Sequence, residues 1–306
     1  KELSQDDDSY IRKIIAQNKN LSSEIINYLS QDKYWEVRKT IAQRIDLPQH
    51  LIEKLSLDEK WQVRKVIAQR PHLKQETIER LSQDKNYDVI IAISQRKYLS
   101  SKIIDKIFKD YDSCYDIMRV IACRSDLPSK IIKKLSQNKF FEIRQSIAQK
   151  ENLSLDIIHQ FSQDKNWEIR KIITQKKNLP LEIINYLSQD EYWKVRETIA
   201  QRIDLTPEMI KKLSQDKNSD VRMVIAQRKD LSLEIIYQLS KDENCEVRKI
   251  VAKKEDLPFE IIYQLSQDKH LKVREIISGR KDLPLEIILI LSQDKNYFIR
   301  EIINQN

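Results

Sequence analysis

The stretch LSQDKNSDVRMVIAQRKDLSLEIIYQ, residues 213–238, decides how this chain folds. Numbered 1 to 26 from Leu213, it carries apolar residues at positions 9, 12 and 13, a spacing of three to four that lines one face of a helix. That predicts a first helix over about positions 7–16 and a second starting near position 20. The motif LSQD or a close variant begins at Leu3, Leu29, Leu55, Leu81, Ile107, Leu135, Phe161, Leu187, Leu213, Leu239, Leu265 and Leu291. Every step is 26 residues except that from Ile107 to Leu135, which is 28, so two extra residues lie within KDYDSCYD, 109–116. The chain is therefore a tandem array of one supersecondary unit.

Comparison among units sorts the positions. Position 19 is leucine and position 24 isoleucine in all eleven units that contain them, and position 13 is isoleucine in eleven of twelve, which makes these core positions. Position 14 is alanine in eight of twelve, small enough to let neighbouring helices approach. Asp8, Asn86, Asn166, Asn218, Asn244 and Asn296, at position 6, suit the N-cap of the first helix. Position 20 is proline at Pro48, Pro128, Pro180, Pro258 and Pro284, read as part of the first turn of the second helix, where the missing N–H would have had no partner. Glu24, Glu182 and Glu234, at position 22, suit the positive end of that helix.

Helices this short are not stable alone, so stacking must supply the core. The expected architecture is all-α: a right-handed superhelical solenoid of about 11–12 two-helix repeats, one continuous array over residues 1–306 without a linker. At about 10 Å per layer it would make a curved rod on the order of 100 Å long. Lys1 to Ser4 reads as the tail of a second helix, and Asn306 ends a first helix, leaving Ile302 and Ile303 without a following layer. The sequence is accordingly expected to be a segment of a longer array.

Composition narrows the function. A single glycine, Gly279, excludes the dinucleotide fingerprint, the Walker loop and the nucleophile elbow. No run of eighteen apolar residues exists, and the opening KELSQDDDSY lacks the apolar centre of a secretion signal. Cys114, Cys123 and Cys245 are odd in number and unclustered, and only His50, His72, His159 and His270 are there to join them. The expectation is a reduced, cytoplasmic protein with no metal, no cofactor and no membrane association, its oligomeric state left open.

Asp at position 4 followed by Val-Arg at 9 and 10, as in Asp32 with Val37-Arg38, resembles the signature of HEAT repeats. The closer likeness, covering nearly the whole chain, is to the variant leucine-rich repeat, whose units similarly read Asp, Val-Arg, Ala, then a Pro-Glu helix start and a leucine. Both families are all-helical solenoids and mostly binding scaffolds, which is what the resemblance implies here. Variant leucine-rich proteins can carry a cysteine-rich iron–sulfur segment; this chain has no such cluster, so that cofactor is not carried over.

Arginine occupies position 10 in ten of twelve units and aspartate position 4 in eleven. We read Asp32, Arg38, Asp58, Arg64, Asp190, Arg196, Asp216 and Arg222 as members of a structural ladder, each arginine bridging aspartates of its own or the next unit; the competing reading is a ligand role. Trp35, Trp61, Trp167 and Trp193, at position 7, are read as packing at the helix start rather than as a stacking platform. Residues 21–47 and 179–205 differ at only five positions, three of them exchanges of Lys and Glu, so a block was copied and its surface charges drifted while its core did not.

Positions 25 and 26 change in nearly every unit. In similar solenoids the second helices line the concave face, and by that analogy Asn27, Tyr28, Lys54, Arg80, Lys106, Lys133, Lys134, His159, Gln160, Asn185, Tyr186, Lys211, Lys212, Tyr237, Gln238, Tyr263 and Gln264 form a partner-binding strip; neutral drift at solvated positions is the alternative. Residues 96–150 hold thirteen Lys or Arg against six Asp or Glu, hence +7 of the chain's +8. They also hold the insertion and Met118, and they adjoin Ile90, these two being the replacements of the position-10 arginine. A basic patch of Lys102, Lys106, Lys130, Lys133 and Lys134 is thus a candidate site; the alternative is a degenerate joint between duplicated blocks. Gln-Arg pairs at positions 15 and 16, such as Gln43-Arg44 and Gln227-Arg228, either cap helix C-termini, the reading we prefer, or contact successive phosphates.

These features point to a noncatalytic scaffold, with no catalytic residues, that binds a protein or peptide along its concave face. Nucleic acid is the alternative partner, through the basic rim and patch, in keeping with a pI near 9.1.

Overall fold

The computed structural model describes residues 2–305, and among them it contains 23 α-helices and no strand. The helices form two compact units that divide between Asn152 and Leu153. The first unit opens with a 3-10 turn, Glu2–Gln5, where the sequence reading expects the tail of a second helix; Lys1 and Asn306 lie outside the described residues. It continues with α1 (Ser9–Gln17), α2 (Ser23–Leu29), α3 (Trp35–Ala42), α4 (Gln49–Leu55), α5 (Trp61–Ala68), α6 (Gln75–Leu81), α7 (Tyr87–Ser94), α8 (Ser101–Asp110), α9 (Tyr115–Ala122), α10 (Ser129–Leu135) and α11 (Phe141–Ala148). The second unit holds α12 (Leu155–Ser162), α13 (Trp167–Thr174), α14 (Leu181–Leu187), α15 (Trp193–Ala200), α16 (Pro207–Leu213), α17 (Ser219–Gln227), α18 (Leu233–Ser240), α19 (Cys245–Ala252), α20 (Phe259–Ser266), α21 (Leu271–Ser278), α22 (Leu285–Ser292) and α23 (Tyr297–Gln305). Odd-numbered helices are the first of each repeat and even-numbered ones the second.

First helices start at position 7, as expected, and the Asp or Asn side chain at position 6 caps six of them, whereas Tyr34, Lys60, Cys114, Phe140, Tyr192 and His270 there make no side-chain cap. The Asp8 carboxylate accepts the Tyr10 N–H at 2.9 Å, and Asn218 accepts that of Asp220 at 2.7 Å. They end at position 14 or 15, one to two residues early, where the chain tightens: the Arg44 N–H reaches the Ile41 carbonyl three residues back at 3.1 Å. Second helices start at position 21. Proline at position 20 is therefore the N-cap and not a first-turn residue, a correction to the sequence reading. Pro48 has φ −60° and ψ 147°, an extended backbone whose carbonyl already accepts from Leu51 and Ile52. A capping residue needs no N–H of its own, which is why proline is tolerated there. Pro207, at position 21, does lie in the first turn, behind the Thr206 cap.

LSQD closes the second helix and turns the chain. Its leucine ends the helical core face, the Ser30 hydroxyl donates to the Asn27 carbonyl at 2.6 Å, and the Asp32 carboxylate accepts the Tyr34 N–H at 2.9 Å. Each first helix packs on the next within its unit, α1 on α3 on α5 and α13 on α15 on α17. Val37, Ile41 and Ala42 are 0% exposed, and the other seven position-14 alanines are buried as well, so the small side chain sets the close approach. Position 19 departs from expectation: Leu47, Leu179, Leu205 and Leu257 are buried, but Leu21, Leu73, Leu99, Leu127, Leu153, Leu231 and Leu283 are half-buried, since this leucine sits in the loop before the second helix. Ile303 is buried and Ile302 half-buried.

Candidate binding face

The ladder decides which residues are free to do anything else. Eight position-10 arginines, Arg12, Arg38, Arg64, Arg170, Arg196, Arg222, Arg248 and Arg274, fork onto the carboxylate of the next repeat and donate to the carbonyl of their own repeat's aspartate. Arg38 Nε and Nη2 reach the two Asp58 carboxylate oxygens at 2.6 and 2.8 Å, while its Nη1 donates to the Asp32 carbonyl at 2.7 Å. Arg64 does the same with Asp84, Arg196 with Asp216 and Arg222 with Asp242. Both side chains of the Arg196–Asp216 pair are 6% exposed. The hydrogen bonds to the paired aspartate raise the Arg38, Arg64, Arg196 and Arg222 guanidinium pKa against the pull of burial. Burial alone would raise the pKa of Asp32, but the Arg12 fork, the Tyr34 N–H and the charges of Arg12 and Arg38 outweigh it and hold that carboxyl below its ordinary value.

The rim cations are also committed, and to the first helix of the preceding repeat. Arg70 Nη1 donates to the carbonyls of Ala42 and Arg44 at 3.0 and 2.6 Å, and Arg202 Nη1 to those of Thr174 and Lys176 at 2.6 and 2.9 Å. For Arg44, Arg124, Arg202, Arg228 and Arg280 an aspartate two residues on completes the fork, whereas Arg70 and Arg96 have His72 and Tyr98 there. The geometry is that of C-terminal capping. The position-7 tryptophans open the first helices half-buried, with Lys39 over the Trp35 ring at 5.7 Å and Lys194 over that of Trp167 at 5.2 Å.

The insertion has a structural use that the sequence alone did not reveal. It lengthens α8 to ten residues and delivers Tyr111, whose hydroxyl donates to the Asp84 carbonyl at 2.9 Å. That is the carbonyl an arginine at position 90 would serve; the residue there is Ile90, fully buried. At the next rung Met118 is also buried, and the position it would face, twenty residues on, is Asn138 and not aspartate. The Met118 rung has thus lost its cation and its anion together, whereas Asp110, twenty residues on from Ile90, is retained. The readable signal was the paired loss at Met118 and Asn138, of which the sequence reading singled out only Met118.

The candidate strip lies on the second helices. None of the strip residues is buried: Asn27, Tyr28, Lys54, Arg80, Lys106, Lys133, Lys134, His159, Asn185, Tyr186, Lys211, Lys212, Tyr237 and Tyr263 are exposed, and Gln160, Gln238 and Gln264 half-buried. Some position-26 side chains double as caps: Gln238 Nε2 donates to the Ser214 carbonyl at 3.1 Å, Gln264 Nε2 to that of Ser240 at 2.9 Å, and Arg80 Nη1 to the Ser56 hydroxyl at 2.9 Å. Lys102 and Lys106 on α8 and Lys130, Lys133 and Lys134 on α10 are all exposed, Lys134 lying over the Phe108 ring at 5.4 Å. No helix among the described residues is long and apolar enough to cross a membrane.

No family model matches the chain, and no curated protein matches it. Among solved structures it is similar to one described as a leucine-rich repeat variant with a novel repetitive protein structural motif, at 20% identity over 72% of this chain and 87% of that one, with a TM-score of 0.56. A YibA protein of E. coli (15% identity, 98% of this chain and 97% of that one) and an engineered protein (15%, 99% and 96%) have TM-scores of 0.30 and 0.24, too low to carry an argument. The first likeness speaks for the fold, and it bears out the resemblance read in the residues: this chain shares the helical-repeat fold of a variant leucine-rich repeat protein.

Proposed function

We propose that this chain is a noncatalytic scaffold that binds a protein or peptide along the outward face of its second helices. One observation carries the reading: position 25 is exposed in ten of the eleven second helices and half-buried only at Glu53, while its residue type changes from repeat to repeat. The repeat-invariant polar groups, by contrast, are consumed by the ladder and the caps. Every carboxylate whose pKa is shifted has a cationic partner close by, as Asp46 has Arg44 and Glu246 has Lys249, which accounts for the shifts without a catalytic role. The rim arginines give their donors to carbonyls, which leaves the lysines of α8 and α10 as the main support for nucleic-acid binding. Free Cys114, Cys123 and Cys245 suit a reduced, cytoplasmic location, which belongs to the same proposal.

Selection of binders from a random peptide-display library, followed by hydrogen-exchange mapping of the complexes, tests this. Protection of the second helices is expected. Protection confined to first helices, or binding only to random DNA or RNA at low salt, contradicts it.

A further inference from the structure

The two units differ at one exposed position. At position 21 the first holds Ser23, Gln49, Gln75, Ser101 and Ser129, whereas the second holds Leu155, Leu181, Pro207, Leu233, Phe259 and Leu285. The five apolar side chains are not hidden; their exposure runs from 39% at Phe259 to 71% at Leu285. The copied block sharpens the contrast, because one of its five differences sets Ser23 against Leu181. Drift under solvent does not favour an apolar residue at five sites in six; a shared use does.

Along α18, α20 and α22 the ridge doubles in width. Tyr237, Tyr263 and Leu289 lie one turn beyond Leu233, Phe259 and Leu285 on the same faces and are 46%, 45% and 56% exposed. The Phe259 and Tyr263 rings are 6.0 Å apart. Helix α18 neighbours α20 and α20 neighbours α22, so the six side chains make one patch. Acid borders it. Position 22 is Glu234, Glu260 and Glu286 here, and Glu260 and Glu286 make no ion pair among the described residues; in the first unit the same position includes Lys102 and Lys130. Lys241 already lies over the Tyr237 ring at 3.9 Å, an example of a cation received by this face.

We infer that this face of α18, α20 and α22 docks a basic amphipathic peptide, its apolar side chains covering the patch and its lysines or arginines meeting the glutamates. The inference rests on the scaffold reading and gives it a partner chemistry. Two helix-to-helix steps of about 10 Å match a peptide helix of about 14 residues.

The probe is a synthetic Leu/Lys amphipathic helix of about 14 residues, titrated by fluorescence anisotropy against the whole chain, beside a Leu/Glu counterpart. The informative variant is Leu233→Ser/Phe259→Ser/Leu285→Ser, since serine already opens α2, α8 and α10 at this position; circular dichroism checks its fold. Binding of the Leu/Lys peptide is expected, weakened about tenfold or more in the triple variant and in the Leu/Glu peptide, with Glu260→Lys/Glu286→Lys reversing the preference. Equal binding to the triple variant, or by both peptides, overturns the inference. So does a patch-dependent attachment to phosphatidylglycerol vesicles, or a self-association that the triple variant abolishes. If display-selected peptides protect other second helices but not these three, this inference fails and the scaffold stands; if they protect no second helix, the scaffold reading itself fails.

Discussion

At Arg196 one side chain meets three demands: it forks onto Asp216, serves the Asp190 carbonyl, and is sealed from water on the way. Removing one member of such a buried pair strands the other. Arg196→Ala should therefore cost about 3 kcal/mol or more, measured as a loss of unfolding free energy in urea. Arg96 shows the opposite situation. Its Nε is buried without a partner, and burial lowers the pKa of its guanidinium; the aspartate that Arg202 or Arg228 finds two residues on is Tyr98 here. Tyr98→Asp should stabilise the chain by about 0.5–1 kcal/mol, seen as a higher melting temperature. Charge pairs of this kind were legible in the sequence as periodic Asp and Arg. Which aspartate each arginine chooses was not, because pairing within a repeat and pairing to the next leave the same letters at the same spacing.

Helices expose a second level of compensation. The break at Ile90 is repaired by Tyr111 from the lengthened α8, and the break at Met118 by the neutral Asn138. Restoring the rung should work only in concert. Met118→Arg buries an unpaired cation, Asn138→Asp adds an anion without its arginine, and the double variant should recover about 1–3 kcal/mol relative to the sum of the two, as read from a double-mutant cycle. Element boundaries were predictable to a residue or two because the caps are short-range chemistry. The prolines misled by one position, since the N-cap and the first turn both accept a residue without an N–H, and only the backbone angles of Pro48 separate them. The half-buried Leu21 and Leu231 show the same limit: invariance among repeats marks a shared contact, not its depth.

Over the whole chain the ladder makes stability depend on acid in a definite direction. Asp32, Asp268 and Asp294 have folded pKa values held below the ordinary one by their arginines and by backbone N–H groups, despite burial. A depressed folded pKa contributes stability that is complete above the unfolded value, about 3.9, and is lost as pH falls from there through the folded values. Urea midpoints should thus be flat with respect to these groups at neutral pH and drop steeply below about pH 4.

The fold of the chain was readable because its one unit is written out eleven times and more, and each copy tests the others. The candidate face was readable only as variability at positions 25 and 26. Position 21 escaped notice because a leucine opening an amphipathic helix looks like core, and its exposure depends on where the helix is rotated in the stack.

The division between a structural framework and a free outward face is tested most directly by a proteolysis-coupled stability scan of every single substitution. Exposed positions 21, 22 and 25 of the second helices should tolerate change to residues other than proline and glycine within about 0.5 kcal/mol, and positions 4, 9, 10, 13 and 14 should lose about 1–5 kcal/mol. A scan in which the outward positions cost as much as the ladder would contradict the account.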